Sequence, residues 1–186
     1  SSASCSHNEP LADAGRYLVL FQYYYEVSDM KSICITGHRD ISKGRIDYVR
    51  EQLRKEVEQA IEDGFTMFLC GMADGSDLEF GAIVAEKKET HPDLFLEAVI
   101  PYKNRLKSKN PLFKQVLAQC NGMKLIAQEY SPDCFFARNR YLVENSQRVI
   151  AVFDGRERSG TAQTMRMAAS KNLELHVIDI SDSSLE

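Results

Sequence analysis

From residue 32 onward the chain alternates short β-branched runs with stretches of helical period, and that alternation restricts it to an α/β sheet. Ser32–Thr36, Phe65–Cys70, Leu94–Ile100, Met123–Ala127, Arg148–Phe153 and Leu175–Ile180 read as strands. Ser42–Asp63, Ser76 to about Thr90, Leu112–Cys120, Pro132–Asn145 and Gly160–Lys171 read as the helices between them. In the first helix Ile46, Val49, Leu53, Val57, Ala60 and Ile61 recur every three or four residues, and Gly64 follows as a terminator. Strands separated by helices of this length pair in parallel, because parallel neighbours need a crossover connection.

Three strand-to-helix turns carry glycine with polar companions. They are Gly37-His38-Arg39, the run from Gly71 to Asp77, and Asp154-Gly155 followed by Ser159-Gly160-Thr161. In a parallel α/β sheet such turns lie outside the carboxyl ends of the strands, where ligands bind and helix N–H groups attract anions. Each glycine alone is explained equally well as a turn residue; three turns at one end of a sheet favour a common pocket. Ser159, Gly160 and Thr161 let a phosphate approach the first helical N–H groups, or Ser159 simply caps that helix. Asp154 and Arg156 contact a sugar or phosphate, or are solvated loop residues. Asp74 and Asp77 hydrogen-bond ribose hydroxyls or cap the second helix, for which Ser76 is a fitting N-cap.

Of Arg138 and Arg140, flanking Asn139, one is expected to face the pocket and the other solvent. His38, with a reference pKa of about 6.5, binds a base, acts as an acid/base or makes an ordinary hydrogen bond. Lys103, Arg105, Lys107, Lys109 and Lys114 form the main basic cluster. It is a phosphate-clamping lid, a nucleic-acid contact or a solvated loop.

Composition removes several function classes. With 186 residues the chain fits one domain, and a net charge of −4 weighs against a general polyanion binder. No apolar run approaches the roughly 20 residues of a membrane span, and Tyr17–Tyr25 lacks the flanks of a secretory signal. The five cysteines form no CxxC pair and show no zinc spacing, so they read as reduced structural thiols in a cytoplasmic protein. Residues 1–29 differ from the remainder, and Met30 directly precedes the first strand. They are expected to be an appended or alternative extension, or else a genuine N-terminal helix packing Leu18, Phe21 and Tyr25.

With these residues assembled, the chain from about Met30 to Ile180 resembles the SLOG superfamily, in its YpsA-like branch. The matching elements are Ile35-Thr36-Gly37-His38-Arg39, the Gly71–Asp77 turn, Ala137–Val143, and Val149–Gly155 followed by Ser159–Ala162. The resemblance implies an α/β, Rossmann-like, mostly parallel sheet with helices on both faces, and a nucleotide-type site at the strand ends. Related branches include the cytokinin-activating phosphoribohydrolases, the DNA-processing protein DprA and sensors of nucleotide second messengers. The phosphoribohydrolases carry Pro-Gly-Gly-x-Gly-Thr-x-x-Glu, with a catalytic Glu and an Arg on the preceding helix. Arg138 and Gly160-Thr161 match that pattern, but Thr164 stands at the Glu position, and Asp154-Gly155 with an insertion replaces Pro-Gly-Gly. Hydrolysis of a glycosidic bond calls for a carboxylate near the cation-like sugar centre. Asp77, Asp74 or Glu144 would have to supply it, which makes Arg138 and Asp77 the candidate catalytic pair.

The leading expectation is a cytoplasmic nucleotide or nucleotide-derivative binding protein. Gly37, Gly71, Gly75, Gly160 and Thr161 hold phosphate and sugar through the backbone, with His38, Arg39 and Arg138 adding polar contacts. The alternatives are a nucleotide N-glycosidase and a DprA-like single-stranded DNA binder. No metal or membrane partner is expected, and a homo-oligomer is implied by the resemblance.

Overall fold

Lys31–Gly37 (β1) is central, because it carries four consecutive buried residues and is covered on both faces. Around it the computed structural model, which describes residues 17–19 and 30–181, builds a single six-stranded sheet. The other strands are β2 (Phe65–Cys70), β3 (Phe95–Ile100), β4 (Gly122–Leu125), β5 (Arg148–Phe153) and β6 (Glu174–Asp179). Their order is β4-β3-β2-β1-β5-β6, and every neighbouring pair is parallel. The helices are α1 (Ile46–Glu62), α2 (Ser76–Lys87), α3 (Pro111–Gln119), α4 (Cys134–Glu144) and α5 (Gly160–Ser170), with a 3₁₀ turn at Lys103–Lys107. Among the described residues no helix is long and apolar enough to cross a membrane. The expectation for residues 1–29 falls largely outside what is described.

Alternation along the strands divides the core into two layers. Ile33, Ile35, Phe68, Leu96, Ile150 and Val152 pack against Leu53 and Val57 of α1, Phe80 of α2 and Phe113 of α3. Cys34, Leu69, Val99 and Val149 point the other way, onto Leu142 and Val143 of α4 and Ala168 of α5. Burial on both faces is why β1, β2 and β5 read as nearly continuous apolar runs. The buried thiols belong to this packing. Burial pushes Cys34 up to about 12 and holds Cys70 well above its ordinary value, so neither is a nucleophile at neutral pH.

Regular helix α1 begins at Ile46 rather than Ser42, because Arg45 and Ile46 both donate to the Ser42 carbonyl in a preceding turn. Helix α2 stops at Lys87, short of Thr90. The topology matters more than these ends. From β1 the chain steps outward through β2, β3 and β4, then α4 returns it to β5 on the opposite side of β1. Loops leaving β1 and β5 therefore diverge, and a crevice forms between them at the carboxyl ends.

Candidate functional site

A cavity of about 360 Å³ occupies that crevice. Thr36 and Gly37 of β1 line it, with Ala73 and Asp77 entering from the β2–α2 side. Phe135, Arg138 and Asn139 come from α4, and Arg156, Arg158, Ser159, Gly160 and Thr161 from the β5–α5 loop and helix start. Four arginines (39, 138, 156 and 158) face two aspartates (40 and 77) across it. Among the lining side chains guanidinium groups therefore outnumber carboxylates, although Arg156 is ion-paired with Asp40 and with Asp154 just behind the wall.

Close backbone packing shapes the floor. At Gly37 an added Cβ would lie 2.5 Å from the Ser76 side chain, so β1 meets the start of α2 without room for a methyl group. Gly75 has φ +81°, and a Cβ there would approach the His38 and Arg39 carbonyl oxygens within 2.6 Å. Gly75 is the N-cap of α2 and supplies no side-chain bond. Ser76, expected to be that cap, instead donates through Oγ to the His38 carbonyl at 3.0 Å, tying α2 to the β1 turn.

Asp77 and Arg138 form the buried polar heart. Arg138 Nη1 donates to the Gly71 carbonyl and its Nε to Asn139 Oδ1 at 2.7 Å. The same Nη1 lies 3.8 Å from Asp77 Oδ2, which accepts the Ala73 N–H at 3.2 Å. Burial raises the Asp77 carboxyl above the usual carboxylate range despite the nearby guanidinium. A buried carboxyl of this kind holds a proton more readily than an exposed one, as a general acid must.

His38 is buried and committed to the loop after β5. Its Nε2 lies 2.9 Å from Asp154 Oδ1, and Arg156 Nη2 lies 3.1 Å from Nδ1. In the neutral ring Nδ1 accepts from Arg156, and Nε2 faces both the Asp154 carboxylate and the Asp154 backbone N–H, which lies 3.2 Å away. Burial pulls the imidazole below its ordinary value, which suits that neutral form. Burial pushes Asp154 up, but the Arg156 N–H, His38 and the Arg156 guanidinium outweigh it and leave the carboxyl below its usual range. Arg156 also reaches Asp40 at 3.3 Å, so this loop is latched over the β1 turn.

The start of α5 offers amides. Ser159 Oγ accepts from the Ala162 N–H at 3.1 Å, the capping bond expected of it. The N–H groups of Gly160 and Thr161 receive no acceptor from the described residues. They point out at the positive end of an 11-residue helix. Thr164, the residue at the Glu position of the phosphoribohydrolase pattern, is fully buried and donates to the Gly160 carbonyl at 2.9 Å.

A model of the YspA SLOG family matches residues 33–183. The chain belongs to that family. This SLOG protein is 26% identical over 138 residues to a UPF0398 protein of Bacillus pumilus, the match covering 67% of the chain and 74% of the relative. Its fold is similar to that of DNA processing protein A from Helicobacter pylori, with a TM-score of 0.58 at 20% identity. That match covers 79% of this chain but spans only 64% of the Helicobacter protein, whose structure was described for its single-stranded DNA binding mode. TM1055 is similar as well, with a TM-score of 0.55 at 15% identity, covering 78% of this chain and 72% of its own.

The SLOG fold brings Gly37, His38, Arg39, Asp77, Arg138, Ser159, Gly160 and Thr161 to one cavity. Gly71 and Asp74 line a smaller neighbouring pocket of about 80 Å³. Gly75, Ser76 and Asp154 support the walls from behind, Gly155 is an exposed turn residue, and none of the four lines the cavity. Arg138 is the buried arginine of its pair and Arg140 the exposed one, 4.0 Å from Glu144. Arg105, at the centre of the basic cluster, is turned inward. It binds the Met72 carbonyl at 2.8 Å and Asp74 at 2.9 Å, holding the left-handed Met72 corner in place. Phe135 and Arg158 were not among the residues singled out from sequence. A half-buried aromatic and a loop arginine carry no local motif, and only the crossover of α4 and the length of the β5–α5 loop bring them in.

Proposed function

We propose that this protein binds a nucleotide or nucleotide derivative in the cytoplasm, with the phosphate at the start of α5 and the sugar towards Asp77, Arg138 and Asn139. The observation that carries this reading is the unclaimed pair of Gly160 and Thr161 amides opening into a cavity with four arginines. Amides at a helix N-terminus and guanidinium groups both select phosphate oxygens. A cavity of about 360 Å³ falls in the size range of small-molecule sites. The ligand is the only small molecule the reading requires, and assembly into homo-oligomers accompanies it.

A thermal-denaturation screen of nucleoside phosphates, dinucleotides and ADP-ribose derivatives tests the reading. A ligand at a hundred times its Kd adds about 2.7 kcal/mol of stability. Stabilisation by at least one phosphorylated nucleoside, and none by the unphosphorylated nucleoside, is expected; no shift with any member would contradict it.

One observation favours turnover as a second reading. Asp77 is a buried carboxyl in the cavity wall whose affinity for a proton is raised, beside a guanidinium able to hold a sugar phosphate. In this version water attacks C1′ of the ribose as the bond to the base breaks, Asp77 gives its proton to the departing base, and Arg138 positions the phosphoribosyl group. Release of free base, lost in Asp77→Asn and Arg138→Ala, is the expected outcome. Binding without release across the common nucleotides would leave the protein as a binder alone.

A further inference from the structure

The cavity and the smaller pocket beside it share Arg39, Ala73, Phe135 and Arg138 as walls. Between the two, Phe135 is the phenyl ring both have in common, and it stands in a cluster of aromatic side chains. Tyr102 meets it at 6.1 Å between ring centroids and 89°, Tyr130 at 6.3 Å and 66°, and the two tyrosines meet each other at 5.4 Å and 81°. Three rings packed at steep angles brace one another and fix the plane of Phe135. One face of that ring carries the Arg39 guanidinium, 4.9 Å from the ring centroid. Tyr130 is 61% exposed, so the cluster rims an opening and does not belong to the core.

A guanidinium and a nucleobase are both flat groups that stack on a phenyl face. Arg39 also lines the larger cavity and can exchange a ring contact for a charge-assisted bond to phosphate. We propose that Phe135, braced by Tyr102 and Tyr130, is the shelf on which the nucleobase of the ligand stacks, and that Arg39 leaves that shelf for the phosphate when the ligand binds. This rests on reading the cavity as a nucleotide site and adds which side chain selects the base.

The chain contains no tryptophan, so Phe135→Trp introduces a unique fluorophore at the shelf. Its emission should be quenched by nucleoside 5′-monophosphates and left unchanged by ribose 5-phosphate, which has phosphate and sugar but no base. In the wild-type background, Phe135→Leu should weaken nucleoside monophosphates about tenfold, the scale of one stacking contact. It should leave ribose 5-phosphate affinity as it was. Arg39→Gln should weaken both ligands by a similar factor. Equal binding of monophosphates and ribose 5-phosphate by wild type would overturn the shelf while sparing the phosphate site. So would equal losses for both ligands in Phe135→Leu. Unchanged ribose 5-phosphate affinity in Arg39→Gln would overturn the exchange. Failure of every one of these ligands to bind wild type would overturn the nucleotide reading and the shelf with it.

Discussion

At the scale of single residues, the polar groups around the cavity divide into those that hold the site and those that face it. His38 belongs to the first kind, since both ring nitrogens are engaged by the loop after β5. Its folded-state pKa lies below the ordinary histidine value, chiefly through burial. Between those two values the unfolded chain binds a proton that the folded protein does not, so stability falls as pH drops through that window. Denaturant unfolding from pH 7.5 to pH 5 should show this loss, and His38→Gln should flatten the curve over that range. Gly75 belongs to the same class. Gly75→Ala must adopt φ near +81° and push a Cβ against two carbonyl oxygens, which should cost about 2 kcal/mol or more in an unfolding titration. Sequence alone made Gly75 legible as a glycine needing a turn, but not that Ser76 would bond to His38. That bond depends on β1 and α2 meeting, a contact between residues far apart in the chain.

Elements follow a simpler logic, and here the sequence was most readable. Period and punctuation located six strands and five helices, because burial on both sheet faces imposes long apolar runs and amphipathic crossovers. Ends were less legible, as at α1, where a tight turn at Ser42 precedes the regular helix. The basic stretch 103–114 was legible as charge but not as structure. Its central Arg105 is drawn inward by Met72 and Asp74, contacts supplied by a different strand turn. The start of α5 carries a prediction of its own. Ser159 caps Ala162 at 3.1 Å and also donates to the Arg156 carbonyl at 2.8 Å. Ser159→Ala should therefore lower stability by about 1 kcal/mol. It should also weaken phosphate binding, because the loop bearing Arg156 and Arg158 loses its tie to the helix. Equal ligand affinity in Ser159→Ala and wild type, measured by calorimetric titration, would count against that coupling.

For the whole molecule, the site is a consequence of strand order. A sheet running β4-β3-β2-β1-β5-β6 has one place where neighbouring crossovers leave in opposite directions, and the polar turns converge there. Chain order in sequence does not reveal that β5 lies beside β1, so the convergence was expected from the fold class and became specific only in three dimensions. The balance of charge follows the same division. A net charge of −4 surrounds an arginine-lined opening, an arrangement suited to a small anion more than to a long polyanion. Gly160 gives the central claim its most direct test. A Cβ at that position would have its nearest neighbour 4.0 Å away, and the residue stands in the first turn of α5. Gly160→Asp therefore fits the fold, suits the positive helix end and puts a carboxylate where the phosphate is proposed to bind. Thermal denaturation of wild type and Gly160→Asp, each with and without the best phosphorylated nucleoside, is the decisive measurement. The account predicts a variant at least as stable as wild type that is no longer stabilised by the ligand; full ligand stabilisation retained in Gly160→Asp would contradict it.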